Sequence, residues 1–253
     1  MGKLTKVVLL LTAALLAMSV FACGKKGNTL TLATSADFPP YEFYRDDKIV
    51  GIDAEIAAAI ADKLGLKLVI EDMDFDSVVL SVETGKYDIA MAGLTVTDER
   101  MEQVSFSTSY ATGVQVIIVP EGSPITNVDD LFEDNAYHRI GVQLSTTGDL
   151  YCTWDLEEEG LAFVDRYTKG TDAIMALTTG KVDCVVIDNE PAKAFVRQNP
   201  QLKILDTEFA VEDYAIAVNK SKTDLLKKID DALRDLIADG TVHTIVDKYI
   251  TAD

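Results

Sequence analysis

The sequence is poor in the residues that metal and nucleophile chemistry use, with two histidines, three cysteines and one tryptophan among 253 residues. His138 and His243 stand alone, and Cys23, Cys152 and Cys184 are far apart, so no metal-ligand spacing is present and no metal or other cofactor is expected. Basic residues are also scarce, 23 against 42 acidic, which gives a formal net charge of -19. Such a surface repels phosphate backbones and anionic lipid, and this argues against nucleic acid as a partner. No phosphate-cradling P-loop motif occurs. What is plentiful is apolar surface: 48% hydrophobic residues allow a real core, and the length accommodates one large or two ordinary domains rather than a disordered chain.

The N-terminus reads as a targeting segment. Lys3 and Lys6 precede an uncharged stretch, Val7 to Ala22, whose 16 residues fall short of the roughly 20 that a spanning helix needs. Residues 1–22 are therefore expected to be a signal peptide rather than an anchor, and without them the charge is -21. The end of the segment, Val20-Phe21-Ala22-Cys23-Gly24, resembles a bacterial lipobox, with Phe21 bulkier than is usual there. That resemblance implies an exported protein whose Cys23 carries the lipid. Residues 23–28 would form the tether, and the protein would lie on the outer face of the cell membrane or in the periplasm. Ordinary cleavage after Ala22 is the alternative. Cys152 and Cys184 read as separate buried thiols, with a disulfide left open.

Along the chain, strand-like and helix-like patterns alternate. Leu30 and Leu32 alternate with Thr29 and Thr31. A loop follows from Thr34 to Phe43, in which Pro39 and Pro40 rule out regular structure and hold Phe38 and Tyr41 at set angles. Ile56, Ala59, Ile60 and Leu64 share a helix face ending at Gly65. Further strands are expected at Lys67 to Ile70 and Asp88 to Ala92, with a helix bearing Val78, Val79 and Val82 between them. Alternation of this kind predicts a parallel sheet covered on both faces. After the extended run Gly113 to Val119 a second unit begins, with strands at Arg139 to Gln143, Leu161 to Val164, Val182 to Ile187 and Leu202 to Leu205. One more strand, Tyr214 to Val218, precedes a helix over Lys222 to Asp239.

Polar residues gather where these strands end, the edge at which open α/β sheets keep their ligand crevices. The first group is Gly93-Leu94-Thr95-Val96-Thr97-Asp98-Glu99-Arg100. Gly93 allows close approach to the backbone, Thr95 offers a hydroxyl, and Arg100 brings a planar fork that matches a carboxylate. Taken alone, Arg100 reads equally well as a surface arginine paired with Asp98 or Glu99. The second group, Gln143 to Asp149, places Ser145, Thr146 and Thr147 at a helix start, suited either to an anion or to plain N-capping. The third is Asp188, whose carboxylate at the end of an apolar strand needs a cation, unless it caps the helix containing Pro191.

The segments GLTVTDER and VSFSTSY resemble the most recognisable motif of the polar amino-acid solute-binding proteins of ABC importers, bacterial extracellular family 3, and the similarity runs from about Thr29 to Tyr249. The resemblance implies a two-lobed periplasmic-binding-protein fold of type II, each lobe an α/β sheet, with the ligand between the lobes. It places lobe 1 at residues 29–112 and 214–253 and lobe 2 at 113–213. It further implies that Arg100 and the Thr146–Thr147 region hold an α-carboxylate, that Asp188 with Thr95 and Gly93 holds the α-ammonium, and that Phe38 and Phe75 sandwich the side chain. Ser35, Tyr41, Leu94 and Gln143 complete the expected site. Partners implied are a membrane permease and its cytoplasmic ATPase, with the receptor itself a monomer and not an enzyme. An enzyme resembling the cyclohexadienyl dehydratases, or an accessory ligand sensor, is the alternative on the same fold. Ser35 stands where several members with cationic or amide ligands carry Asp, a weak pointer to a polar neutral ligand, while Asp37, Asp74 and Asp76 lie near enough to restore selectivity for Lys or Arg.

Overall fold

The computed structural model describes residues 28–250; the signal segment and Cys23 lie outside them. Three parallel strands begin the chain's main sheet. They are β1 (Thr29–Thr34), β5 (Lys67–Asp72) and the short β6 (Ile89–Ala90), with β1 between the other two. Two helices cover them. In α1 (Ile52–Lys63), Ile52, Ile56 and Ile60 recur every fourth residue and are fully buried, each contributing roughly 1.5–3 kcal/mol by leaving water. In α2 (Phe75–Glu83), Phe75, Val78 and Val82 face the sheet.

The segment expected to be a loop is a small three-stranded antiparallel sheet, β2 (Asp37–Phe38), β3 (Glu42–Arg45) and β4 (Lys48–Val50). Pro39 and Pro40 sit in the turn between β2 and β3, where no ladder hydrogen bond from their nitrogens is needed.

After the short helix α3 (Asp98–Gln103), β7 (Val104–Pro120) runs for 17 residues out of the first lobe and into the second. The second lobe adds β8 (His138–Gln143), α4 (Thr147–Cys152), β9 (Ala162–Tyr167), α5 (Gly170–Thr178), β10 (Cys184–Asp188) and α6 (Asn189–Gln198). The chain returns along β11 (Leu202–Asn219), antiparallel to β7. The two strands expected here are thus one 18-residue strand, and breaks in register after Ile204 and near Tyr214 take up its bends. The last helices, α7 (Thr223–Ala238) and α8 (Thr241–Tyr249), pack on the first lobe, α7 through Ile229, Ala232, Leu233 and Leu236.

The eight strands form one continuous sheet in the order β5-β1-β6-β11-β7-β10-β8-β9, joined at its middle by the two long crossing strands. Both lobes therefore direct the carboxyl ends of their parallel strands into the space between them. Among the described residues no helix is long and apolar enough to cross a membrane. Cys152 and Cys184 are free and buried in the core of the second lobe, where burial holds both thiols well above their ordinary pKa.

Candidate ligand-binding cleft

Five strand ends meet between the lobes. The end of β1 supplies Ser35, Asp37 and Phe38; beyond β5 comes Phe75, and beyond β6 come Ala92, Gly93 and Thr95. From the second lobe the end of β8 supplies Gln143, Thr146 and Thr147, and the end of β10 supplies Asp188. With Arg100 these residues line the narrow space between the lobes. Ten of the twelve expected binding residues lie there. Tyr41 and Leu94 do not: Tyr41 is buried behind the cleft between Phe38 and Tyr214, and Leu94 points into the core beside Val78 and Val104.

Gly93 has a left-handed φ of 52°, and a Cβ there would come within 2.7 Å of the Phe38 ring. The backbone has to be bare at this point for the aromatic wall to close over it. Its N–H donates to Asp53 Oδ2 at 3.0 Å, which anchors the loop to α1.

Arg100 sits one turn into α3, whose start is capped by Thr97. It does not pair with Asp98 or Glu99. Its Nη1 donates to the Thr95 carbonyl at 2.8 Å and its Nη2 crosses to the Ser145 carbonyl of the second lobe at 3.0 Å, while the guanidinium lies 5.5 Å from the centroid of the Phe75 ring. Only 6% exposed, it is a buried cation aimed into the cleft. Opposite it, Thr146 caps α4 by accepting from the Asp149 N–H, so capping falls to Thr146 while Thr147 faces the cleft.

Asp188 occupies the residue before α6, yet its side chain makes no capping bond; it accepts from the Tyr214 hydroxyl instead. Burial, and then the neighbouring Glu212, push its pKa up to about 7, against hydrogen bonds from Tyr214 and Gln115. Asp37 is also raised by burial, with Ser35 donating to its Oδ1 at 3.1 Å and Oδ2 unpartnered. Behind it Glu42 is 1% exposed, and burial followed by the neighbouring Asp53 carboxylate, to which the protonated Glu42 can donate, raises its pKa well above normal.

Several residues that matter here were not expected from sequence. Glu212 Oε2 accepts from Thr95 Oγ1 at 2.9 Å and from Gln115 Nε2 at 3.2 Å, and Gln115 also reaches Thr147 at 3.3 Å. These bonds tie the two lobes together beside the crossing strands. Gln115 had a signal, a lone amide inside an apolar strand. Glu212 and Tyr214 had none, since both lie in ordinary alternation.

The model of the bacterial extracellular solute-binding proteins, family 3, matches residues 30–252. The chain belongs to this family. It is 30% identical to the arginine-binding extracellular protein ArtP of Bacillus subtilis, covering 98% of this chain and 99% of that one. It is 28% identical to the L-cystine-binding protein TcyJ of Escherichia coli, over 90% of this chain and 85% of the relative. Among solved structures, an ancestral arginine-binding protein bound to arginine matches with a TM-score of 0.82 and 38% identity, covering 88% of this chain and 98% of that one. This family member is accordingly an extracytoplasmic substrate-binding protein of an ABC transporter, a binder of amino acids and not an enzyme.

Proposed function

We propose that the chain binds L-arginine between its lobes and delivers it to a membrane permease. The observation that carries this is the charge balance of the cleft, where Arg100 shares the lining with Asp188 and Asp37, and Glu212 acts on both Arg100 and Asp188. A zwitterionic ligand would satisfy Arg100 and Asp188 and leave Asp37 Oδ2 without a hydrogen-bond partner, with Lys169 as the protein cation acting on that carboxylate. A ligand with a second positive charge neutralises that end as well.

In this reading the α-carboxylate lies on Arg100 and the Thr147 end of α4. The α-ammonium lies on Asp188, Thr95 and the Gly93 carbonyl, and the guanidinium passes between Phe38 and Phe75 towards Asp37. Ser35, the weak pointer to a neutral ligand, supports the opposite conclusion because its hydroxyl orients the Asp37 carboxylate. The arginine-binding relatives described above support that choice. The lobe limits 29–112, 113–213 and 214–253, and the lipid on Cys23, belong to the same proposal. Micromolar affinity corresponds to about 8 kcal/mol, within reach of a few charge-assisted bonds at roughly 1.5–3 kcal/mol each plus ring stacking, after ordering costs.

The test is calorimetry of residues 24–253 with arginine, lysine, histidine, glutamine and cystine, repeated on Asp37→Asn. Arginine is expected to bind most tightly, and the variant to lose at least about tenfold for arginine while changing little for glutamine. Tighter binding of glutamine or cystine than of arginine by the unaltered protein would overturn the assignment.

A further inference from the structure

A second groove crosses the lobe boundary beside the cleft. One wall is the turn at Pro39 and Pro40 with Arg45 of β3 and Lys248 of α8; the other is α6, with Glu190, Lys193 and Arg197. Lys193 pairs with Glu190 at 2.8 Å and Lys248 with Glu55. Among the described residues Arg45 and Arg197, one from each lobe, make no ion pair; Arg45 lies over the Phe43 ring, 5.2 Å from its centroid, and acts on Glu55 only through its field. Among the described residues four cations thus stand against two acids, in a chain whose net charge is -19. Asp46 and Asp47 follow Arg45 in the turn beyond β3 but do not line the groove.

Both walls continue directly from the ligand cleft. Phe38 immediately precedes Pro39, and Asp188 immediately precedes α6, which carries Lys193 and Arg197 on successive turns. A ligand held by Phe38 and Asp188 therefore sets the spacing of Arg45 and Lys248 against Lys193 and Arg197. With the lobes apart, the two pairs of cations separate and the groove no longer exists as one surface.

We infer that this basic groove is a docking site for an acidic peptide segment of the membrane partner, formed only when the lobes are closed on ligand. The inference rests on the transport role, since that role requires the partner to tell a loaded receptor from an empty one. Charge complementarity selects the occupant: an acidic segment is repelled by most of this surface and attracted here. Because the groove needs both lobes, its occupant and the amino acid favour the same closed form, and each tightens the other by an equal factor.

The experiment titrates a hexaglutamate peptide into the protein at low ionic strength, with and without saturating amino acid, and repeats this on the double variant Arg45→Glu, Arg197→Glu. Neither residue touches the cleft. The peptide is expected to bind the loaded form at least about fivefold more tightly than the empty form. The double variant should lose peptide binding while keeping its amino-acid Kd within about twofold. Equal affinity for loaded and empty protein, or unchanged peptide binding in the variant, would refute the inference. So would equal binding of citrate or inorganic phosphate at matched charge, which would make the groove a simple anion site. Amino-acid binding is measured first in the same samples, so failure of the ligand assignment is read separately from failure of the groove.

Discussion

Protonation of Asp188 offers a direct test of how the cleft holds a ligand ammonium. The carboxyl is 6% exposed and its pKa is pushed up to about 7 by burial and by Glu212. Only the carboxylate attracts an ammonium, so each pH unit below about 7 costs 1.36 kcal/mol of binding, which makes the apparent Kd roughly a hundredfold weaker at pH 5 than above pH 8. Ligand binding near pH 6.5 then displaces about three-quarters of a proton. Calorimetry at that pH in buffers of different ionisation enthalpy measures the proton directly, and a pH series gives the slope. The unliganded protein should show the opposite trend in stability. A carboxyl whose folded-state pKa is raised contributes stability that is fully present below its unfolded value and is lost as pH rises through the folded one. Asp188 loses that contribution between about pH 4 and 7, and Asp53, raised to about 6 by burial, adds to the loss over a similar window. Melting of the ligand-free form should therefore fall from pH 5 to pH 8, while saturating ligand flattens the curve. A Kd that stays constant from pH 5 to pH 8, with no proton released, would refute the placement of the ammonium on Asp188.

Replacing Arg100 with Ala removes the buried cation that faces the carboxylate end, and should weaken amino-acid binding at least about a hundredfold while circular dichroism stays unchanged; near-normal affinity by calorimetry would exclude Arg100 as the anchor. Ser145 holds a left-handed φ of 63° at the carbonyl that receives Arg100, so Ser145→Gly should stabilise the fold by about 0.5–1 kcal/mol in urea unfolding, and an unchanged or lower midpoint would argue against strain there. A Cβ at Gly113 would lie 2.2 Å from the Tyr214 hydroxyl, and Tyr214 is fully buried against Asp188. Gly113→Ala should therefore cost about 1–3 kcal/mol and weaken ligand binding as well; a wild-type melting temperature would mean that Tyr214 moves freely.

Helical and strand periodicities were strong enough in the sequence to place α1, α7 and the strands of both lobes, because burial of one face leaves a regular trace in residues three, four or two apart. The Gly93–Arg100 segment was legible for a related reason: an apolar strand that breaks into glycine, hydroxyl and guanidinium has changed its surroundings from core to cleft. The small sheet around Pro39 and Pro40 was not legible, since each strand is too short for an alternation to register. Tyr41 and Leu94, expected in the site from the family resemblance, are neighbours in sequence of residues that line the cleft, and tertiary packing turns both away from it.

What local spacing settled is the list of strand ends and the chemistry each carries. What only the tertiary structure decided is which of these face one another. Glu212, Gln115 and Thr95 come together because β7 and β11 cross between the lobes, joining residues 117 positions apart in the case of Thr95 and Glu212. In the proposed arginine pose the acid that meets the side chain is Asp37, oriented by Ser35, although the family resemblance draws attention to Ser35 itself. Electrostatic recognition depends on distance through space, and distance across a cleft is set by the crossover strands and by closure rather than by any local pattern in the chain.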